Sequence, residues 1–132
     1  MNVHLFRLVA SGALMLAASP GLAHHYFPRE SDTPTTVTGT VVRFDMVNPH
    51  ARLLLEVRDS SGTATIWDIE LGSIQVLVAR GWKRDAVRAG DVVTADVIMW
   101  KGRANAGSAR TVQLPDGRKV FAGSHAGDSA RR

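Results

Sequence analysis

The sequence has 132 residues, a formal net charge of +4 and no cysteine. This length suits one domain and leaves no room for two ordinary ones. The basic residues are scattered along the chain and form no stripe, so a nucleic-acid partner is not expected. Without cysteine the domain has neither a disulfide nor a thiol nucleophile, and its stability must come from its core.

Residues 1–23 have the three parts of a secretory signal peptide. Arg7 provides the positive start, residues 8–18 form the apolar stretch, and residues 21–23 end in the small residue that the peptidase requires. We therefore expect cleavage after Ala23 and a periplasmic or secreted protein. The apolar stretch is too short to span a membrane and no second one follows, so no transmembrane segment is expected after cleavage.

An extended N-terminal arm is predicted over residues 24–35, which include two prolines. Strand one follows over residues 36–47. The alternation of its apolar residues changes parity beside Gly39, which predicts a β-bulge or a sharp bend. The strand ends at the loop Asn48-Pro49-His50, because proline has no N–H to donate to a sheet.

A β-hairpin is predicted over residues 51–58 and 63–71. Leu53 and Leu55 alternate with polar positions, as in a strand with one buried face. Residues 59–62 place Asp and Gly where a tight turn requires them.

One short helix is predicted after the hairpin, because the apolar spacing changes there from a period of two to that of a helix. Ser73 is the expected N-cap, and Gly81 is the expected glycine just beyond the C-terminus. Trp82 follows that glycine and can fold back on the last turn as the apolar contact of a Schellman ending.

The last strands are predicted over residues 92–100 and 109–114, with a Gly- and Ala-rich loop over residues 101–107 between them. A Pro-Asp-Gly turn comes next, and residues 119–121 are expected to pair back across it. Residues 123–132 are expected to form a disordered tail.

Three strands, a helix and two strands form the element order of the OB-fold. We therefore predict a mainly β domain over residues 36–122, a small five-stranded OB-fold-like barrel with one short helix between strands three and four. A small β-sandwich is the alternative. In an OB-fold the loops after strands one and four flank the binding face, and here they are residues 48–50 and 101–107.

Several short motifs follow one another in an order that is fairly specific as a set. They are His24-His25, Gly39-Thr40-Val41, Asn48-Pro49-His50, Trp67, Arg80-Gly81-Trp82, Gly90-Asp91 and Leu114-Pro115-Asp116-Gly117-Arg118. In this combination the chain resembles the domain-of-unknown-function 6152 family of small secreted bacterial proteins, over nearly the whole mature sequence. The resemblance implies export and a compact β domain, and it implies no known reaction, cofactor or substrate.

The first functional hypothesis is a metal site, with copper as the candidate metal. Signal cleavage gives His24 a free α-amine beside its ring, and a second imidazole from His25 or His50 would complete a histidine brace. Three nitrogen ligands in this arrangement suit Cu(II). Met46 and Glu70 are further candidate ligands.

Each of these residues also has an ordinary structural interpretation. The paired histidines can be a solvated chain end, and His50 can hydrogen-bond its own loop. Met46 fits the core parity of strand one, and Glu70 can pair with a neighbouring arginine. The sequence contains no tight metal-ligand spacing that would decide between the two interpretations.

The second hypothesis is a binding module whose β face takes a small ligand, a glycan or another exported protein. Asn48, Trp100 and Arg103 are the candidate contact residues. Trp100 is expected to be exposed at the loop after strand four, whereas Trp67 and Trp82 are expected in the core. No serine has a partnered base, so we expect a protein that is not an enzyme.

Overall fold

The computed structural model describes residues 28–123, which contain six strands and one helix. The elements are β1 (Thr35–Asp45), β2 (Arg52–Arg58), β3 (Ala64–Glu70), α1 (Ile74–Ala79), β4 (Val92–Met99), β5 (Ala106–Gln113) and β6 (Lys119–Phe121). The predicted signal peptide, His24 and His25 at the start of the arm, and the predicted tail beyond Gly123 lie outside the described residues. Gly123 itself is buried. Among the described residues, no helix has the length and apolar character that crossing a membrane requires.

The strands form one sheet that closes on itself. Its order is β3-β2-β1-β4-β5-β6, and β5 also pairs with β3, so that β1 to β5 make a closed barrel with β6 at its side. The closing pair is parallel and joins Asp68–Glu70 to Ala106–Ser108, whereas the other pairs are antiparallel. The predicted five-stranded OB-fold-like barrel with one helix between strands three and four is confirmed, and the β-sandwich alternative is wrong.

The bend in β1 lies at Val42, three residues beyond Gly39. The register against β2 shifts between Val41 and Arg43, so Val42 is the bulged residue and is 46% exposed. Gly39 has a different role, because a Cβ at this position would lie 2.7 Å from the carbonyl oxygen of Glu56. Glycine therefore permits a close approach of two strands here.

The barrel interior is filled by the inward-facing residues of all five barrel strands and by the helix. Its side chains with no exposed surface are Ala51, Leu53, Leu55, Ile69, Leu71, Leu77, Ala95, Val97, Val112 and Ala122. The alternation predicted for the hairpin is thus confirmed, because both of its named leucines are in this set. A closed layer of branched aliphatic residues is what holds a disulfide-free domain of this size together.

Helix α1 ends as its sequence predicts. The Ser73 side chain accepts a hydrogen bond from the backbone N–H of Val76, and Gly81 adopts a φ of 89°. The N–H of Trp82 donates to the carbonyl of Leu77 at 3.0 Å, which is the long bond of a Schellman motif. The Trp82 ring folds back and is buried.

Strand β5 begins at Ala106, inside the segment that the sequence analysis assigned to a loop. Gly107 lies so close to β4 that a Cβ would clash with the carbonyl oxygen of Ile98. Small residues here let three strands meet, and Ala106 and Gly107 are both buried. The predicted pairing of residues 119–121 across the Pro-Asp-Gly turn is confirmed as β6.

The N-terminal arm is attached to the end of β4 by backbone hydrogen bonds. The N–H of Glu30 donates to the carbonyl of Met99 at 2.9 Å, and the N–H of Lys101 donates to the carbonyl of Pro28 at 2.8 Å. Arg29 forms a β-bridge with Trp100 between these two bonds. The arm therefore leaves the described residues beside the β4–β5 loop.

Asp96 on β4 connects four strands on the outside of the barrel. Its carboxylate accepts hydrogen bonds from Thr36 on β1 and Thr111 on β5, and it pairs with Lys119 on β6 at 2.7 Å. The hydrogen bond from Lys119, helped by those from Thr111 and Thr36, lowers the pKa of Asp96 to about 2. This side chain holds its neighbours together most strongly when it is ionised.

Candidate functional site

The β1–β2 loop, residues 46–51, is fastened to the barrel on two sides. The N–H of Ala51 donates to the carbonyl of Gly72 at 3.0 Å, and the carbonyl of Ala51 accepts from the N–H of Leu71 at 2.8 Å. The Asn48 side chain accepts a hydrogen bond from the N–H of Ile74 at the start of α1. His50 thus directly precedes Ala51, whose backbone is bonded to Gly72 and Leu71. The Asn48–Pro49 peptide bond of this loop is cis.

The His50 ring lies beside the carboxylate of Glu70, at the end of β3. Its Nδ1 is 3.5 Å from Oε2 of Glu70, and the two side chains are 42% and 14% exposed, respectively. Because the two ring nitrogens lie on different sides of the imidazole, this contact directs Nε2 away from the carboxylate. A histidine in this position can offer Nε2 to a ligand from solvent.

Arg52 does not compete for Glu70, although the two residues are opposite each other on β2 and β3. Its guanidinium forms a two-pronged pair with Asp68, in which Nε donates to Oδ1 at 3.0 Å and a terminal nitrogen donates to Oδ2. Such fork-like pairs fix both side chains. Within residues 28–123, His50 is the ion-pair partner that the structure gives Glu70.

Met46 has no comparable position. It belongs to the hydrophobic core and is 7% exposed. This is the structural role that its parity in strand one predicted, and the sulfur is not offered to solvent with the His50 ring.

The described residues do not form a complete metal site on their own. Across residues 28–123, no group of three or more His, Asp or Glu side chains is close enough to hold a metal ion. His50 and Glu70 are a pair, and the histidines that could complete a ligand set, His24 and His25, are outside the described residues.

The β4–β5 loop has a different structure from the predicted one, and the expected exposure of Trp100 is wrong. Trp100 is 3% exposed, because the arm pairs with its backbone and its Nε1 donates to Oγ of Ser108 at 3.0 Å. Arg103 lies over its ring, 5.5 Å from the ring centroid, as a cation–π pair. Trp100 therefore supports the arm and offers no open stacking surface.

The candidate contact residues of the β face are consequently not one cluster. Trp100 and Arg103 are together in the β4–β5 loop, while Asn48 is engaged with the first residue of α1. The outer face of β2 and β3 between the loops carries the Arg52–Asp68 pair and the Arg58–Glu56 pair. Its charges are paired within the protein. Trp82 is buried in the core as predicted, whereas Trp67 is only partly buried and packs against the core.

The Arg52–Asp68 pair is the feature of this site that the sequence analysis missed. Both residues alternate with inward-facing neighbours, Leu53 and Ile69, and therefore lie on the outer face of the hairpin. Which arginine meets which carboxylate depends on the register of β2 against β3 and on side-chain reach across it. The sequence therefore indicated that Arg52 and Asp68 lie on the same face of the hairpin, but it did not indicate that they pair with each other.

Comparison with known proteins agrees with the resemblance seen in the motifs. The model of a family described as "Family of unknown function (DUF6152)" matches residues 13–111. No curated protein and no solved structure is similar enough to match the chain.

Proposed function

Since the chain belongs to the family of unknown function DUF6152, we propose from its own residues that it is an exported, non-enzymatic protein that binds a metal ion. Copper is the metal that suits the set of His24, His25 and His50 best. The single observation that carries the proposal is the contact of His50 with Glu70, which leaves Nε2 directed outward. A carboxylate behind the ring is the usual support of a metal-bound histidine.

The attachment of the arm supports a shared site for both ends of this set. Three successive backbone pairings lead across the sheet from the arm to β3. Arg29 pairs with Trp100, Trp100 with Ala106, and Ala106 with Asp68. Three strand spacings amount to about 14 Å, and the two residues from there to Glu70 bring the distance to about 16 Å. Because the carbonyl of Pro28 is still bonded to Lys101, the stretch beyond the last described bond is the four residues from His24 to Pro28. These can extend over about 14 Å, so the side chains of His24 and His50 must span the rest of the distance.

The chemistry of the ligands favours Cu(II). An α-amine and imidazole rings supply nitrogen donors, which Cu(II) binds in a planar arrangement. The chain has no cysteine, and Met46 is in the core. Soft sulfur ligands, which favour Cu(I), are therefore not part of the proposed set.

The experiment is a Cu(II) titration of protein that has been exported with its own signal peptide. Intact mass first establishes whether the chain begins at His24. The parent should then bind one Cu(II) tightly, while His50→Ala and a form with one extra residue before His24 should both bind much more weakly. His125→Ala is the matched control, since it removes a histidine outside the proposed set and should bind like the parent.

Equal binding by the parent, His50→Ala and the extended form would overturn the proposal. A mature N-terminus other than His24 would remove its chelating pair and overturn the brace as well. Circular dichroism of each variant keeps loss of folding apart from loss of ligands.

A further inference from the structure

Among residues 28–123, the carboxylate beside His50 has no other cation within ion-pair distance. Glu70 ends β3, where β2 pairs with it on one side and β5 on the other, through Arg52 and Ser108. Its side chain is 14% exposed, so packing restricts where the carboxylate can lie. The barrel thus restricts the position of the carboxylate that Nδ1 of His50 contacts.

An ionised carboxylate accepts hydrogen bonds and donates none. Beside it, a neutral imidazole gains by carrying its proton on Nδ1, which leaves the lone pair on Nε2. The free histidine side chain prefers the opposite tautomer, with the proton on Nε2. The position of Glu70 therefore favours the form of His50 whose outward nitrogen can bind a metal.

Asp68 contributes to the same arrangement through Arg52. Arg52 is opposite Glu70 in the register of β2 and β3, and such cross-strand neighbours can pair. Without its fork on Asp68, the guanidinium of Arg52 could therefore turn to the Glu70 carboxylate. In the folded protein Asp68 holds it. Glu70, together with the Arg52–Asp68 pair, thus favours the form of His50 whose Nε2 faces solvent.

We infer that Glu70 is a positioning residue that holds His50 in its Nδ1–H tautomer with Nε2 outward, and that the Arg52–Asp68 pair keeps Glu70 available for this role. The inference deepens the proposed function and rests on it for its biological meaning. The positioning itself is a property of the metal-free protein.

The first test is nitrogen-15 NMR of the metal-free protein at about pH 8.5, where an imidazole ring is neutral. The parent should show His50 mainly as the Nδ1–H tautomer. Glu70→Gln should shift it toward Nε2–H, because the amide can donate to Nδ1. Glu56→Gln, a change of the same chemistry on the same outer face, should leave it unchanged.

The second test is Cu(II) affinity of the same variants. Loss of a supporting carboxylate costs about 10–100-fold in metal affinity, so Glu70→Gln should weaken binding by that factor while Glu56→Gln does not. Asp68→Asn should also weaken binding, because it releases Arg52 toward Glu70. Adding Arg52→Gln to Asp68→Asn should restore the parent affinity and tautomer.

An Nε2–H tautomer in the parent, or the same tautomer in the parent and Glu70→Gln, would overturn the inference. A double variant no better than Asp68→Asn would overturn the role of Arg52. If the parent shows the Nδ1–H tautomer but binds no Cu(II), the positioning is supported and the proposed function fails. The two ideas can thus fail separately.

Discussion

Replacing Asp96 with asparagine tests the most connected ion pair of the barrel. The carboxylate is 22% exposed and joins Thr36, Thr111 and Lys119. The hydrogen bond from Lys119 is the main reason that its pKa falls from 3.8 to about 2. At 1.36 kcal/mol for each unit, the ionised form contributes about 2 kcal/mol to the free energy of unfolding, as an upper value because solvent still reaches the group.

The sign of the pH dependence follows from the direction of the shift. Because the folded pKa lies below the unfolded one, the contribution is complete above about pH 5 and is lost as the pH falls through 3.8 toward 2. About 1.3 kcal/mol should remain at pH 3, and about 0.4 kcal/mol at pH 2. Asparagine cannot ionise, so the variant should lack this part of the acid sensitivity.

Urea unfolding of the parent and Asp96→Asn at pH 7, 3 and 2 measures this difference. The stability gap should be largest at pH 7 and nearly closed at pH 2. Asp85→Asn is the matched control, since its carboxylate is exposed and pairs loosely with Arg88 at 3.7 Å. A gap that is the same at pH 7 and pH 2, or that Asp85→Asn reproduces, would refute the reasoning.

Three further substitutions test other features. Trp82→Phe removes the 2.8 Å hydrogen bond from Nε1 to the Phe121 carbonyl, and urea unfolding should show a loss of about 1–3 kcal/mol. Gly39→Ala places a Cβ 2.7 Å from the Glu56 carbonyl oxygen, and a loss of about 1–3 kcal/mol should appear as a lower Tm; an unchanged Tm would contradict the close approach. Met46→Leu should alter stability by less than about 1.5 kcal/mol and leave Cu(II) affinity in titrations unchanged, whereas weaker copper binding would make the sulfur a ligand.

The elements that could be predicted are those whose signals lie in neighbouring residues. Ser73 and Gly81 delimit the helix through caps that involve only one or two turns of chain. The alternation of Leu53 and Leu55 identifies the hairpin in the same local way. The order of such elements was then sufficient to predict the barrel, because few topologies accommodate three strands, a helix and two strands in so short a domain.

The details that were wrong depend on partners distant in sequence. Trp100 follows an apolar strand into a polar loop, and nothing local says that the arm will pair with its backbone. The early start of β5 at Ala106 depends on β3, which is almost forty residues away. Small residues such as Gly107 are common in loops, so their use in a close strand contact could not be distinguished beforehand.

The site was partly predictable for the same reason. His50 stood out because Pro49 interrupts the sheet beside it. The contact of His50 with Glu70 depends on the register of β2 against β3. It also depends on the backbone bond between Ala51 and Leu71, which extends the pairing of the hairpin by one residue. Sequence reasoning included Glu70 among the candidates, but it could not identify Arg52 and Asp68 as the pair that keeps it available.

The closing seam of the barrel has a consequence for folding. It is the only parallel pairing in the described part of the chain, and it joins Asp68–Glu70 to Ala106–Ser108. Contacts over such a separation are entropically expensive, so the seam is expected to form after the hairpin and to open more readily than it. Glu70 lies in that seam, and a metal bound through His50 would favour the closed form. Slower amide hydrogen exchange along Ala106–Ser108 of β5 would then report that metal is bound at His50, beside Glu70 on the neighbouring strand β3.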